Sequence, residues 1–282
     1  MSKLCVAGIV LLSLVAAAPA RADEWSKKYS VSAKPNLRVD VNDGSIEIFS
    51  TDQKEIEVRI TTVGWEIPKD IHITESQSGD NVTLEVRVPH ANFNFFGSLR
   101  RSLKVEIHIP RQADLDARTG DGNIRSQAVS GRIRLYSGDG NISTEGLSGD
   151  ARLHTGDGRI EGSGFDGALD ADTGDGHITV RGRFDALNLK TGDGHIDAEA
   201  QSGSKMASSW SARSGDGNIT LRLPSSFSAE LDAHTGDGRI SLDFPVTISG
   251  ELSSSTVRGK MGAGGSPLLI RTGDGSIRID RG

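Results

Sequence analysis

Eight aspartates of this sequence stand in one context, Gly-Asp-Gly, at positions 121, 139, 157, 175, 193, 216, 237 and 274. The first five are spaced by 18 residues. Carboxylates repeated at a fixed interval suggest calcium, which takes oxygen ligands and which nine-residue β-roll repeats bind through a turn aspartate. That roll motif carries Asp two residues before its apolar position. Here Asp lies three before an isoleucine and occurs in only every second block of nine. The sequence therefore reads Asp121, Asp139, Asp157, Asp175 and Asp193 first as turn residues. Their carboxylates would accept backbone N–H groups, with the glycines supplying positive φ. Calcium ligation is the second reading.

Other residue types offer less. His177 and His195 occupy equivalent positions beside aspartates, but two histidines without a distinct third ligand define no metal centre. They read as part of a solvated polar row with Asn123, Asn141 and Arg159. Gly162-Ser-Gly-Phe-Asp-Gly167 matches a nucleotide-binding pattern yet opens no helix, and no G-x-S-x-G occurs. A catalytic site should break the repeat locally, whereas each of these acids copies the next. No catalytic residue and no cofactor are assigned.

Two segments do break the repeat. Asn92-Phe-Asn-Phe-Phe-Gly97, followed by Arg100, Arg101 and Lys104, puts three phenylalanines into five residues of a chain that is 5% aromatic. It reads as a plug over the end of the fold or as an aromatic-basic patch for a partner. Phe93, Phe95, Phe96, Arg100 and Arg101 are the partner-binding candidates. The second break, around Gln201–Trp210, adds Met206 and Trp210, although Trp210 also falls on an inward offset.

The elements that must hold these residues follow from the repeat. Each 18-residue unit divides into two nines. In the first, position six is Ile124, Ile142, Ile160, Ile178 and Ile196, and position eight is mostly small. In the second, Ile133, Ala151, Leu169 and Leu187 precede Leu135, Leu153, Ala171 and Leu189, with Arg134, Arg152, Asp170 and Asn188 between. Apolar residues at alternate positions with a turn every nine make a half-buried strand, a turn, and a second strand. One unit cannot bury its own apolar side. A fixed period implies stacking, with like residues about 4.8 Å apart. Each fully buried aliphatic contributes roughly 1.5–3 kcal/mol. The stacked aspartates repel by about 1 kcal/mol in water-like surroundings. A narrow two-sided core also accounts for the scarcity of rings. The same offsets recur at Leu37, Val39, Asn42-Asp43-Gly44, Ile46 and Ile48. The later spacings of 23, 21 and 37 read as coils with insertions, the last as two coils or a coil plus a hairpin. Between Lys54 and Ile109, alternating segments without Gly-Asp-Gly read as an antiparallel region covering the first coil.

At the N-terminus, a basic start, an apolar run over Val6–Ala18 and Ala20-Arg21-Ala22 form a secretory signal with cleavage before Asp23. Its loss removes Lys3 and Arg21 and no acid, leaving 30 basic against 38 acidic residues and a net charge of -8 in place of -6. Cys5, the single cysteine, leaves with it. A disulfide and a cysteine metal site are thereby excluded from the mature chain. Mild acidity argues against nucleic acid, and no later apolar stretch is long enough to span a membrane.

The chain resembles the bacterial putative-adhesin family of β-strand-repeat proteins of unknown function. The likeness rests on Leu103-Lys-Val-Glu-Ile-His-Ile-Pro110, on Leu115-Asp-Ala-Arg-Thr-Gly-Asp-Gly-Asn-Ile124, and on the ending Met261-Gly-Ala-Gly-Gly-Ser-Pro through Ile277. It implies adhesion and carries over no catalytic residue. The expectation is an all-β chain: signal 1–22, N-terminal strand region and cap 23–113, and a parallel β-solenoid of 18-residue coils over 114–282. The expected function is an exported, non-enzymatic binding or scaffolding module for a cell-envelope or surface ligand, protein or glycan. The alternative is a calcium-binding or carbohydrate-active solenoid, lyase- or hydrolase-like.

Overall fold

The computed structural model describes residues 22–88 and 101–282, all in strands, turns and connections; no helix occurs among them. The architecture is a parallel β-solenoid. Each coil runs up one sheet, turns through Gly-Asp-Gly, and continues in a second sheet. Strands before the turn form the leading sheet, in which Asn36–Val41, Asp114–Thr119, Ser130–Ser137 and Ser148–Thr155 pair in parallel. Strands after it form the trailing sheet, with Ser45–Thr51, Ile124–Gln127 and Ile142–Glu145 likewise parallel. In the strands Ile160–Thr173 and Ile178–Thr191 the second corner is reduced to a bulge, so one strand serves both sheets.

Register follows the repeat. Ile46, Ile124, Ile142, Ile160, Ile178, Ile196, Ile219 and Ile277 form one column of paired positions. All eight are buried. A one-residue slip would turn the whole column outward. The coil read from Leu37 to Ile48 is present, with Leu37 opposite Leu115 and Ile46 opposite Ile124.

Stacking order departs from chain order at both ends. The expectation that Lys54–Ile109 covers the first coil as an antiparallel region needs correction in its pairing. The first coil is that of Asp43, and Asn81–Arg87 and Ser102–Pro110 stack on its far side in parallel. Antiparallel pairing begins one layer further out, where Glu55–Val63 joins Ser102–Pro110 and Ala22–Ser30 joins Glu55–Val63. At the other end the chain's last coil, Pro267–Thr272 with Ile277–Arg281, slides between the coils of Asp216 and Asp237. The hairpin of Val246–Leu252 and Thr256–Met261 then covers Ala229–Thr235 antiparallel. The long spacing before Asp274 is therefore a coil plus a hairpin.

The core is not closed to rings. Phe165, Phe184, Trp210 and Phe227 are buried in succession, with neighbouring centroids 6.1, 6.2 and 5.1 Å apart. Small residues opposite make the room: at Gly162 the ring of Phe165 fills the space a side chain would take.

Candidate functional site

The turn edge comes first because it carries the repeated acids. Asp121, Asp139, Asp157, Asp175 and Asp193 are all exposed. Of the two groups that the turn offers, the aspartate carboxylate and the preceding Thr or Ser hydroxyl, the hydroxyl makes the turn bonds. The buried Thr or Ser before each Gly-Asp-Gly bridges two coils: the Thr191 hydroxyl donates to the Gly176 carbonyl at 2.8 Å and accepts the Gly194 N–H at 3.1 Å. Ser214 does the same with Gly194 and Gly217. The glycines answer to close approach and not to positive φ. An atom added at Gly176 would collide with the Gly158 carbonyl oxygen, and no left-handed φ occurs in the eight Gly-Asp-Gly turns. Among the described residues, no group of three or more His, Cys, Asp or Glu is arranged to hold a metal ion.

The row after the turn is a second hydrogen-bond ladder. Asn123 Oδ1 accepts the Asn141 N–H, and Asn141 Oδ1 accepts that of Arg159, both at 2.8 Å. His177 and His195 stack with centroids 4.9 Å apart. Their Nδ1 atoms accept the N–H of His195 and Asn218, both at 2.9 Å. Nδ1 is thus the acceptor in both rings.

Of the partner-binding candidates, Phe93, Phe95, Phe96 and Arg100 lie outside the described residues, and Arg101 is exposed. The insertion around Gln201–Trp210 serves the core. Trp210 is buried, and the Ser204 hydroxyl and Lys205 amide bond the backbone of Phe184.

A face that sequence reasoning passed over lies on the outside of the leading sheet. Alternation exposes two columns there. In one, Asp116, Arg134, Arg152 and Asp170 occupy successive strands; in the other, Arg118, Tyr136, His154 and Asp172 do. Tyr136 is 46% exposed, whereas most large apolar side chains among the described residues are buried or partly buried. Its ring stacks on His154, centroids 5.0 Å apart and planes within 16°. Arg118 is engaged by Asp116 through Nε at 2.9 Å, and that bond pushes its guanidinium further up. His154 stands 3.8 Å from Asp172. Arg134 and Arg152, adjacent in register, enter no ion pair among the described residues. These residues line a depression of about 300 Å³. The available signal was a tyrosine at an outward position of an aromatic-poor chain, beside two arginines where neighbouring coils carry Asp or Asn.

The family match agrees with this architecture. Residues 35–280 match the Toastrack family described as DUF4097, and the chain belongs to that family. Solved structures resemble the chain. One, from Parabacteroides distasonis and described as a "putative lipid binding protein", is 16% identical with a TM-score of 0.52, over 93% of this chain and 98% of the other. Another, a "putative adhesin" from Bacteroides fragilis, is 14% identical with a TM-score of 0.47, over 91% and 97%. No curated protein matches. No helix among the described residues is long and apolar enough to cross a membrane.

Proposed function

We propose that this chain is an exported, non-catalytic binding module that contacts a cell-envelope or surface ligand through the Tyr136 face. One observation carries the reading. An exposed tyrosine, held flat against His154, stands next to two arginines that enter no ion pair among the described residues. Tyrosine and arginine are the side chains that dominate binding energy at interfaces. Strands on both sides fix their backbones, so binding has only side chains to order. The basic start, the apolar run and Ala20-Arg21-Ala22, read as a signal sequence over residues 1–22, support export. The repeated turn offers no arrangement that would single out a substrate.

The experiment measures retention of the chain from Asp23 onward on isolated cell-envelope fractions. Tyr136→Ser is expected to reduce retention severalfold, while Ile248→Ser, at the other exposed large apolar side chain among the described residues, leaves it unchanged. Phe93, Phe95 and Phe96 replaced together by Ser form a further arm, since their partner role rests on composition alone. Equal retention of Tyr136→Ser and the parent chain would overturn the reading.

A further inference from the structure

Resting on that reading, we propose that the ligand of the Tyr136 face is an acidic polysaccharide, a chain of sugars bearing carboxylate or sulfate groups. Arg134 and Arg152 occupy paired positions on adjacent parallel strands, about 4.8 Å apart along the ladder. Like charges in neighbouring strands destabilise a sheet. Neither flanking aspartate forms an ion pair with Arg134 or Arg152 among the described residues: Asp116 is engaged by Arg118, and Asp170 accepts from Asn188 at 2.8 Å. An anionic group spanning the two guanidiniums relieves the repulsion, and their planar forks match carboxylate and sulfate oxygens.

The neighbouring column specifies a sugar. Tyr136 and His154 present stacked rings, each with an apolar body and a polar tip. Such a surface accepts the C–H face of a pyranose while the ring substituents reach water. The trough is longer than one anion needs. A second depression of about 360 Å³ shares Arg118 and Tyr136 with the first. A third, of about 190 Å³, shares Asp116 and Arg134. Together they run across several coils, and the strand spacing is comparable to the length of one sugar unit. The ligand's charge density must also be modest. Asp116, Asp170 and Asp172 border the arginines and repel a polyphosphate or a densely anionic membrane, whereas they accept hydrogen bonds from sugar hydroxyls.

The test is titration calorimetry on the chain from Asp23 onward with four hexasaccharides: galacturonate, hyaluronan, monosulfated chondroitin and a neutral galactan. At least one acidic probe is expected to bind saturably, about tenfold or more tighter than the galactan, equivalent to roughly 1.4 kcal/mol. Arg134→Ser with Arg152→Ser should erase that preference, Tyr136→Ser should weaken the acidic and neutral probes alike, and added salt should weaken only the acidic ones. Circular dichroism confirms that each variant is folded. No binding of any acidic probe at millimolar concentration, equal binding of acidic and neutral probes, or an intact preference in the arginine variant overturns the proposal. So does binding to anionic lipid vesicles without binding to a hexasaccharide. If no hexasaccharide binds but envelope retention still falls in Tyr136→Ser, the binding-module reading stands and the glycan does not.

Discussion

The carboxylate of Asp232 accepts a hydrogen bond from Arg271 at 2.6 Å, and through it the chain's last coil is fastened to the coil stacked outside it. Arg258, from the covering hairpin, donates to the other oxygen at 3.1 Å. One aspartate thus ties three layers at the end of the solenoid. Partial burial pushes its carboxyl up, but the two guanidiniums outweigh burial and hold it below the usual carboxylate range. A carboxyl depressed in the folded state stabilises above its unfolded pKa, and that stability fades as pH falls through the folded value. Asp232→Asn is therefore expected to cost about 1–2 kcal/mol at neutral pH. The gap to the parent chain should close below about pH 4. Urea melts across pH check it; a gap independent of pH would show that charge is not what Asp232 contributes.

The two kinds of buried hydroxyl should respond in opposite ways to the same substitution. Thr191 bridges two turns, whereas the Thr144 hydroxyl is buried without a partner. Thr191→Val leaves a buried N–H and a buried carbonyl short of a bond and should cost about 1–3 kcal/mol. Thr144→Val replaces an unsatisfied hydroxyl by a methyl and should be neutral or stabilising. Denaturant midpoints of the two variants decide it.

Close approach at the turns predicts an unusual intolerance. If Gly176 served a left-handed conformation, Asn would be the best substitute. Because its α-hydrogen faces the Gly158 carbonyl, Gly176→Asn and Gly176→Ala should both cost at least about 2 kcal/mol, as overpacking does. A markedly milder Asn variant in thermal melts would argue for φ instead.

The inward columns were legible in the sequence because period-two alternation and an 18-residue spacing leave one way to bury Ile124, Ile142 and Ile160 together. The coil from Leu37 to Ile48 was legible for the same reason. Stacking order at the ends was not. Every coil presents the same Ile and Leu columns to either neighbour, so nothing in the motif says that Gly273 stacks on Gly215 before Gly236 does. The glycines misled because two distinct needs, positive φ and close approach, select the same residue. The Tyr136 face was hidden by the alternation that revealed the core. Outward positions carry no periodic signal, and a site there shows only when adjacent strands place Arg134 beside Arg152 and Tyr136 beside His154.

The most direct measurement sets the face against the turn ladder. Retention on the same cell-envelope fraction is compared for Arg134→Ser with Arg152→Ser, and for Asp157, Asp175 and Asp193 all replaced by Asn. Each variant is first shown to be folded, and a chelator arm reports whether divalent ions matter. The face variant should lose most of its retention, while the ladder variant keeps it with or without chelator. Retention lost in the aspartate variant and kept in the arginine variant would place the site on the turns and contradict the assignment to the Tyr136 face.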